Sequence, residues 1–311
     1  MSEIMASEKI APLEDRGIVR LAGADARQLL QGLITNDMAK LNGPGSAIHA
    51  ALLSPQGKIL FEFFVVETAA GFLLDTQAAK AADLVKRLSL YRLRADATIA
   101  DATHNYQVFA LWGAEWDTPG KRLERPGAII FADPRHARLG YRAIVEAAEA
   151  DAFHAESAAS AESLAAYGRE RIALGIPDSA IDYDLGDTYP HEADFDLHNG
   201  VSFTKGCFVG QEVVARMQNK TVVRKRIVQI SAAAPLTSGA PITMGTVVIG
   251  KVGSVAGAQG LAMLRLDRVA EALDKDLPIT AADVAIDVDR AALERYRTAA
   301  RRAPSSTGPA P

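Results

Sequence analysis

The chain has 311 residues, 49% hydrophobic and 23% charged, with 34 lysines and arginines against 38 aspartates and glutamates. That is the composition of an ordinary globular protein, long enough for two or three domains. Its net charge of -4 excludes a strong overall pull toward nucleic acid or membranes, so any anion site must come from local clustering.

Cys207 is the single cysteine, which rules out an internal disulfide and suits a reducing compartment. The first dozen residues are broken by Glu3, Glu8 and Lys9 and lack an apolar leader core, and no apolar run reaches the length of a membrane span. The expectation is a soluble, cytoplasmic protein without membrane contact.

In chain order, Arg16 to Leu21 reads as a strand, and Asp25 begins a helix with Leu29, Leu30 and Leu33 on one face. Ala47 to Leu53 and Ile59 to Val66 form a hairpin across Ser54-Pro55-Gln56-Gly57. A strand at Gly71 to Asp75 and a helix at Gln77 to Leu90 follow. Gln107 to Trp112 and Tyr141 to Val145 are strands on either side of a loop rich in Pro and Gly. Ala150 to Ile176 reads as mostly helical, and Pro177 to Gly206 as a long irregular stretch of the kind usually kept for function. A short helix spans Gln211 to Met217. Beyond Lys225, strands at Arg226 to Ser231, Thr246 to Ile249, Lys251 to Val255 and Leu261 to Leu266 suggest a small β-barrel or sandwich. The fold class is α+β: a body over 1–225, a barrel over 226–290, and a tail over 291–311, helical and then disordered.

Lys205-Gly206-Cys207-Phe208-Val209-Gly210-Gln211-Glu212 carries the sharpest chemistry. A thiol acts as nucleophile or metal ligand only as thiolate, which nearby cations and helix N-termini favour. Lys205 supplies a cation two residues before Cys207, the helix begins soon after it, and the glycines permit an exposed turn. The opposing reading is a small, buried apolar cysteine. His191, His198 and Cys207 match no structural zinc spacing, and one thiol cannot hold an iron–sulfur cluster alone, so no metal site is expected. Lys205, Arg216, Lys220, Arg224, Lys225 and Arg226 form a basic cluster. It reads either as a solvated face or as a contact for an anion. With no aromatic stacking motif beside it, no stable nucleic-acid complex is expected.

The run from Asn199 to Glu212, with Ala215-Arg216 and Val223-Arg224-Lys225-Arg226, is similar to the signature of the YgfZ family. Leu30-Gln31-Gly32-Leu33-Ile34-Thr35-Asn36-Asp37, Leu52 to Lys58, and Gly245 to Arg265 extend the resemblance over nearly the whole chain. It implies the aminomethyltransferase-like fold of intertwined modules, with tetrahydrofolate in a central hole. It also implies a function in iron–sulfur cluster assembly or repair through Cys207 and Lys205, with cluster assembly or client proteins as partners. Asn36, Asp37, Glu62, Glu192, Gln211, Arg216 and Arg226 are the folate contacts it suggests. The transferases of this superfamily carry paired aspartates where this chain has Phe61-Glu62, and a glutamate where it has Ala173. Aminomethyl or methyl transfer is therefore the weaker alternative. A non-catalytic scaffold for cluster carriers, or an accessory factor in tRNA modification, is another.

Overall fold

The computed structural model describes residues 8–114 and 120–302. In chain order the elements are β1 (Lys9–Pro12), β2 (Arg16–Ala22), α1 (Ala26–Leu33), β3 (Ala47–Leu53), β4 (Ile59–Thr68), β5 (Gly71–Gln77), α2 (Ala78–Arg92), β6 (Thr98–Asp101) and β7 (Tyr106–Trp112). Then come β8 (Arg122–Arg125), β9 (Ala128–Ala132), β10 (Tyr141–Glu146), α3 (Ala150–Glu156), β11 (Ser160–Ala161), α4 (Leu164–Ala173) and α5 (Gln211–Lys220). The last are β12 (Lys225–Ala232), β13 (Pro241–Met244), β14 (Val247–Ala256), β15 (Gln259–Arg265), α6 (Leu266–Asp274), β16 (Ile279–Ala281), β17 (Val284–Val288) and α7 (Arg290–Arg302).

They build two open sheets and a closed barrel. The first sheet runs β3-β4-β5-β2-β6, the second β11-β1-β7-β10-β9-β8, and the barrel β12-β15-β14-β13-β16-β17. Strand β4 sets the layering, because alternate residues point to opposite faces of a sheet. Phe61, Phe63 and Val65 join Leu30 and Leu33 of α1 and Leu84 and Leu88 of α2 in one core. Phe64 and Val66 join Trp112, Phe131 and Ile144 of the second sheet in another. Glu62 shares that second face, which alternation alone carries toward the middle of the molecule.

The proline- and glycine-rich loop expected between Trp112 and Tyr141 contains the hairpin β8–β9. The two strands expected around Gly250 are one strand, β14. Gly250 does not break it: a Cβ there would meet Leu264 Cδ2 at 2.5 Å, so glycine lets β14 lie close against β15. The helix of the tail is α7, whose Ala292 and Leu293 pack on the barrel core, and residues 303–311 lie outside the described residues.

Residues 177–210 do form an irregular segment, wedged between body and barrel. Tyr183, Phe195, Val201 and Phe208 from this segment share a core with Leu53 and Ile59 of the first sheet and Ile227 and Leu261 of the barrel. The polar clamp is Asp182. It accepts from Ser254 N at 2.6 Å, from Ser254 Oγ at 2.9 Å, from Asp178 N at 2.7 Å and from Arg171 Nη1 at 2.9 Å. Removing one partner of a buried ion pair strands the other, at a cost of about 3–5 kcal/mol. Asp182→Ala should therefore lower unfolding stability by about 3 kcal/mol in chemical denaturation. A loss under about 1 kcal/mol would mean that Asp182 does not hold the barrel to the body.

Candidate functional site

The two sheets, α4, the irregular segment and the barrel enclose a cavity of about 330 Å³. Arg16, Glu62 and Phe64 reach it from the first sheet, Arg142 from the second, Arg135 from the connection between β9 and β10, Tyr167 and Arg171 from α4, and Ser254 from the barrel. Glu62 is buried. Its Oε1 faces His49 Nε2 at 3.0 Å, and its Oε2 accepts from the Tyr183 hydroxyl at 3.0 Å. The other nitrogen of His49, Nδ1, faces the carbonyl of His198 at 3.2 Å. Both ring nitrogens of His49 thus face oxygen atoms, which fixes the ring between Glu62 and the His198 carbonyl. Burial works to raise the Glu62 carboxyl. The His49 hydrogen bond and charge, with Arg135 and Arg16, outweigh it and hold the group well below the usual carboxylate range. Burial and the Glu62 charge push the Tyr183 phenol well up, so it stays a donor.

Behind this carboxylate, three guanidinium groups surround the ring of Phe64: Arg142 at 4.4 Å, Arg135 at 4.8 Å and Arg16 at 5.8 Å from its centroid. Each has a buried counter-ion. Arg16 and Arg142 share Asp75, at 2.6 and 2.7 Å, and Arg135 grips Asp133 through two bonds of 3.0 and 2.7 Å. Burial would raise Asp133, but Arg135 and Arg142 keep it low. The wall is therefore rich in charge yet balanced, with each carboxylate oxygen of Glu62 retaining a lone pair for a further donor. Such a site can take the N–H edge of a flat, amine-bearing ring.

Of the seven expected folate contacts, Glu62 alone lines this cavity. Asn36 is buried elsewhere as a staple, donating to His49 O at 2.7 Å and Asn199 O at 2.6 Å. Asp37 caps the turn at Met38–Lys40. Glu192 accepts from Tyr189 N at 2.9 Å, and Gln211 accepts from Phe208 N at 3.3 Å. Arg216 is an exposed partner of Glu212 at 3.2 Å. Arg226 is held by Asp194 at 2.5 Å and Asp196 at 2.7 Å. With Lys205 and Arg226 committed internally, the expected basic cluster is not one anion site. His49, Arg16, Arg135, Arg142, Tyr167, Arg171 and Tyr183 were missed. Their signal was a charged or polar side chain inside a run otherwise fit for burial, such as His49 within Ala47 to Leu53 or Arg142 within Tyr141 to Val145.

Cys207 lies on an exposed loop, so the reading as a core cysteine fails. The loop is pinned on both sides. Gly210 has φ of +80°, and a Cβ there would meet Ser54 O at 2.6 Å, which seats the loop on the turn between β3 and β4. On the other side Lys205 is buried, and its Nζ donates to the carbonyls of Gln31, Ile34 and Asn36 at 2.7, 2.8 and 2.8 Å. Burial pushes Lys205 down to about 8, against the pull of Asp37, so at neutral pH it is still an ammonium with three protons for three carbonyls. Lys205 thus closes the C-terminal end of α1, and no hydrogen bond joins it to Cys207. Helix α5 starts at Gln211, four residues beyond the thiol. Among the described residues, no group of three or more His, Cys, Asp or Glu could hold a metal ion.

Residues 11–117 match the GCVT N-terminal domain, and residues 224–293 match the CAF17 C-terminal beta-barrel domain. The glycine cleavage system aminomethyltransferase T from Bartonella henselae superposes with a TM-score of 0.72 at 16% identity, over 92% of this chain and 87% of that one. The body and barrel are therefore the aminomethyltransferase-like fold. The mitochondrial iron-sulfur cluster assembly factor IBA57 of Homo sapiens is 32% identical over 281 residues, covering 83% of this chain and 77% of that protein. The chain belongs to the IBA57 family. The Mus musculus protein of the same name is 31% identical with the same coverage. The Mycosarcoma maydis homologue is 33% identical over 72% of this chain, which spans 57% of that relative's length. All three IBA57 relatives are mitochondrial by name, which overturns the cytoplasmic expectation. A lone cysteine excludes an internal disulfide but does not separate one reducing compartment from another.

Lys205→Met should leave three carbonyls without their donor and lower stability by roughly 2–3 kcal/mol. Alkylation of Cys207 in the folded protein at fixed pH should stay within about twofold of wild type, since no bond links the two. Unchanged stability with a large fall in alkylation rate would restore Lys205 as the activator of the thiol.

Proposed function

We propose that this chain binds tetrahydrofolate in the central cavity and supports iron–sulfur cluster assembly through the exposed thiol of Cys207. The ionised, buried carboxylate of Glu62 carries the reading. It is an acceptor fixed in place before any ligand arrives, so a pterin ring that donates to it needs no reorganisation of the site. The cavity volume of about 330 Å³ accommodates such a ring, with the remainder of the ligand running toward the mouth, where Arg169 is exposed. Glu62 would hold the ring, Tyr183 and His49 would keep Glu62 oriented, and Arg169 would meet a carboxylated tail. A reduced folate brings one-carbon and redox chemistry when bound.

Aminomethyl transfer has less support. Phe61, beside Glu62, packs into the core with α1 and α2, and Ala173 is exposed outside the cavity lining. The cavity keeps one carboxylate from that strand rather than a pair. The iron–sulfur cluster is cargo in this reading. Thiolate is a soft ligand suited to it, and a partner carrier supplies the other ligands because one cysteine cannot. The two-sided anchoring of the loop presents the sulfur to such a partner at a fixed position. The names of the IBA57 relatives support the cluster half of the proposal.

Glu62→Gln should weaken tetrahydrofolate binding by roughly tenfold or more in calorimetry, the cost of losing hydrogen bonds to a charged acceptor. Cys207→Ser should leave folding intact and fail to restore iron–sulfur enzyme activity in cells lacking the gene. Equal folate affinity in the first variant would move the ligand out of this cavity. Full rescue by the second would remove the thiol from the function.

A further inference from the structure

The C-terminal end of α2 combines exposed cations with protruding leucines. From Lys86 to Arg94 the chain reads Lys-Arg-Leu-Ser-Leu-Tyr-Arg-Leu-Arg: four cations, of which Lys86 pairs with Asp83 at 3.2 Å, leaving Arg87, Arg92 and Arg94 to give the corner its positive charge. All four are exposed. Two leucines project among them, Leu90 at 69% and Leu93 at 83% exposure, the highest among the exposed large hydrophobic residues described. The inward residues of the same helix, Ala81, Leu84 and Leu88, are buried against the first sheet, so Leu90 and Leu93 are surplus to the core.

The backbone adds an independent sign. The helix ends at Leu93 with φ of +47° and ψ of -107°, a positive-φ conformation that residues other than glycine rarely adopt. A leucine there is strained, and it gains no burial in return. Strain kept without a packing reason marks a position used for something else.

We propose that this corner is a peripheral docking tip for an anionic lipid surface. The shape favours lipid over a folded partner. The two leucines are the most exposed of the large hydrophobic residues described, and a protein partner would need a pocket to match them, whereas a bilayer interface accepts any protruding apolar group. The charges favour an anionic leaflet, toward which each lysine or arginine adds roughly fivefold to binding. A nucleic acid would use the cations and leave the leucines idle. Seated this way, the molecule keeps its cavity free, because α2 lies on one face of the first sheet while Glu62 and Phe64 point from the other.

The test is co-sedimentation of the full chain with vesicles of phosphatidylcholine alone and of phosphatidylcholine mixed equally with phosphatidylglycerol. Binding is expected to the mixed vesicles only, and to weaken with added salt. Arg92→Glu with Arg94→Glu should reduce it more than tenfold, at roughly fivefold or more for each reversed charge. Leu93→Gly relieves the backbone, so it should hold or raise the melting temperature while weakening vesicle binding severalfold. That opposite movement separates a docking leucine from a structural one. Failure to bind mixed vesicles overturns the proposal. So does undiminished vesicle binding by Leu93→Gly, which would leave a plain cationic patch. Equal or tighter binding to a DNA duplex, insensitive to Leu93→Gly, would reassign the corner to phosphate backbones.

Discussion

A carboxylate held ionised in the protein interior sets the terms for this fold. Burying Glu62 without partners would cost more than a domain's whole margin of stability, so its neighbours must answer it. They come from far apart in the chain: His49 from β3, Tyr183 from the irregular segment, Arg16 from β2 and Arg135 from the connection between β9 and β10. The elements that close the cavity are the same ones that satisfy its charge. Asp75, Asp133 and Asp182 extend the pattern outward, each answering arginines that would otherwise be stranded. The charges of the cavity wall are thus paired among apolar side chains such as Phe64, Ile172 and Val255.

The irregular segment links the two candidate centres. Its early part supplies Tyr183 to Glu62 and Asp182 to the barrel clamp. Its middle offers the His198 carbonyl to His49, and its end carries the anchored loop of Cys207. Its lack of regular structure follows from this, because the backbone must turn repeatedly to reach two sheets, a helix end and a barrel. A stretch of sequence dense in Asp, Gly and Pro meets that need where a helix or strand could not.

Much of this was legible from residue order. The apolar run Ile59 to Val66 after the turn Ser54-Pro55-Gln56-Gly57 read as the hairpin strand that is β4, and the glycines around Cys207 pointed to an exposed turn. The spaced short strands after Lys225 suggested a small β-barrel or sandwich, and they close into a barrel. What could not be read were partnerships across the chain: Glu62 with Tyr183 lies 121 residues apart, and Arg142 with Asp75 lies 67 apart. Lys205 is the instructive case. Its place next to Cys207 in sequence suggested a cation for the thiol, while its long side chain reaches a helix end 171 residues away. Arg226 deceived for the same reason, being basic in a basic run yet already gripped by two aspartates.

Difference infrared spectroscopy between wild type and Glu62→Gln reads the ionisation of Glu62 directly. At neutral and mildly acidic pH the account predicts a carboxylate stretch assignable to Glu62, shifted when tetrahydrofolate is added, and no protonated carboxyl band. A protonated carbonyl stretch at neutral pH that vanishes in Glu62→Gln would contradict it.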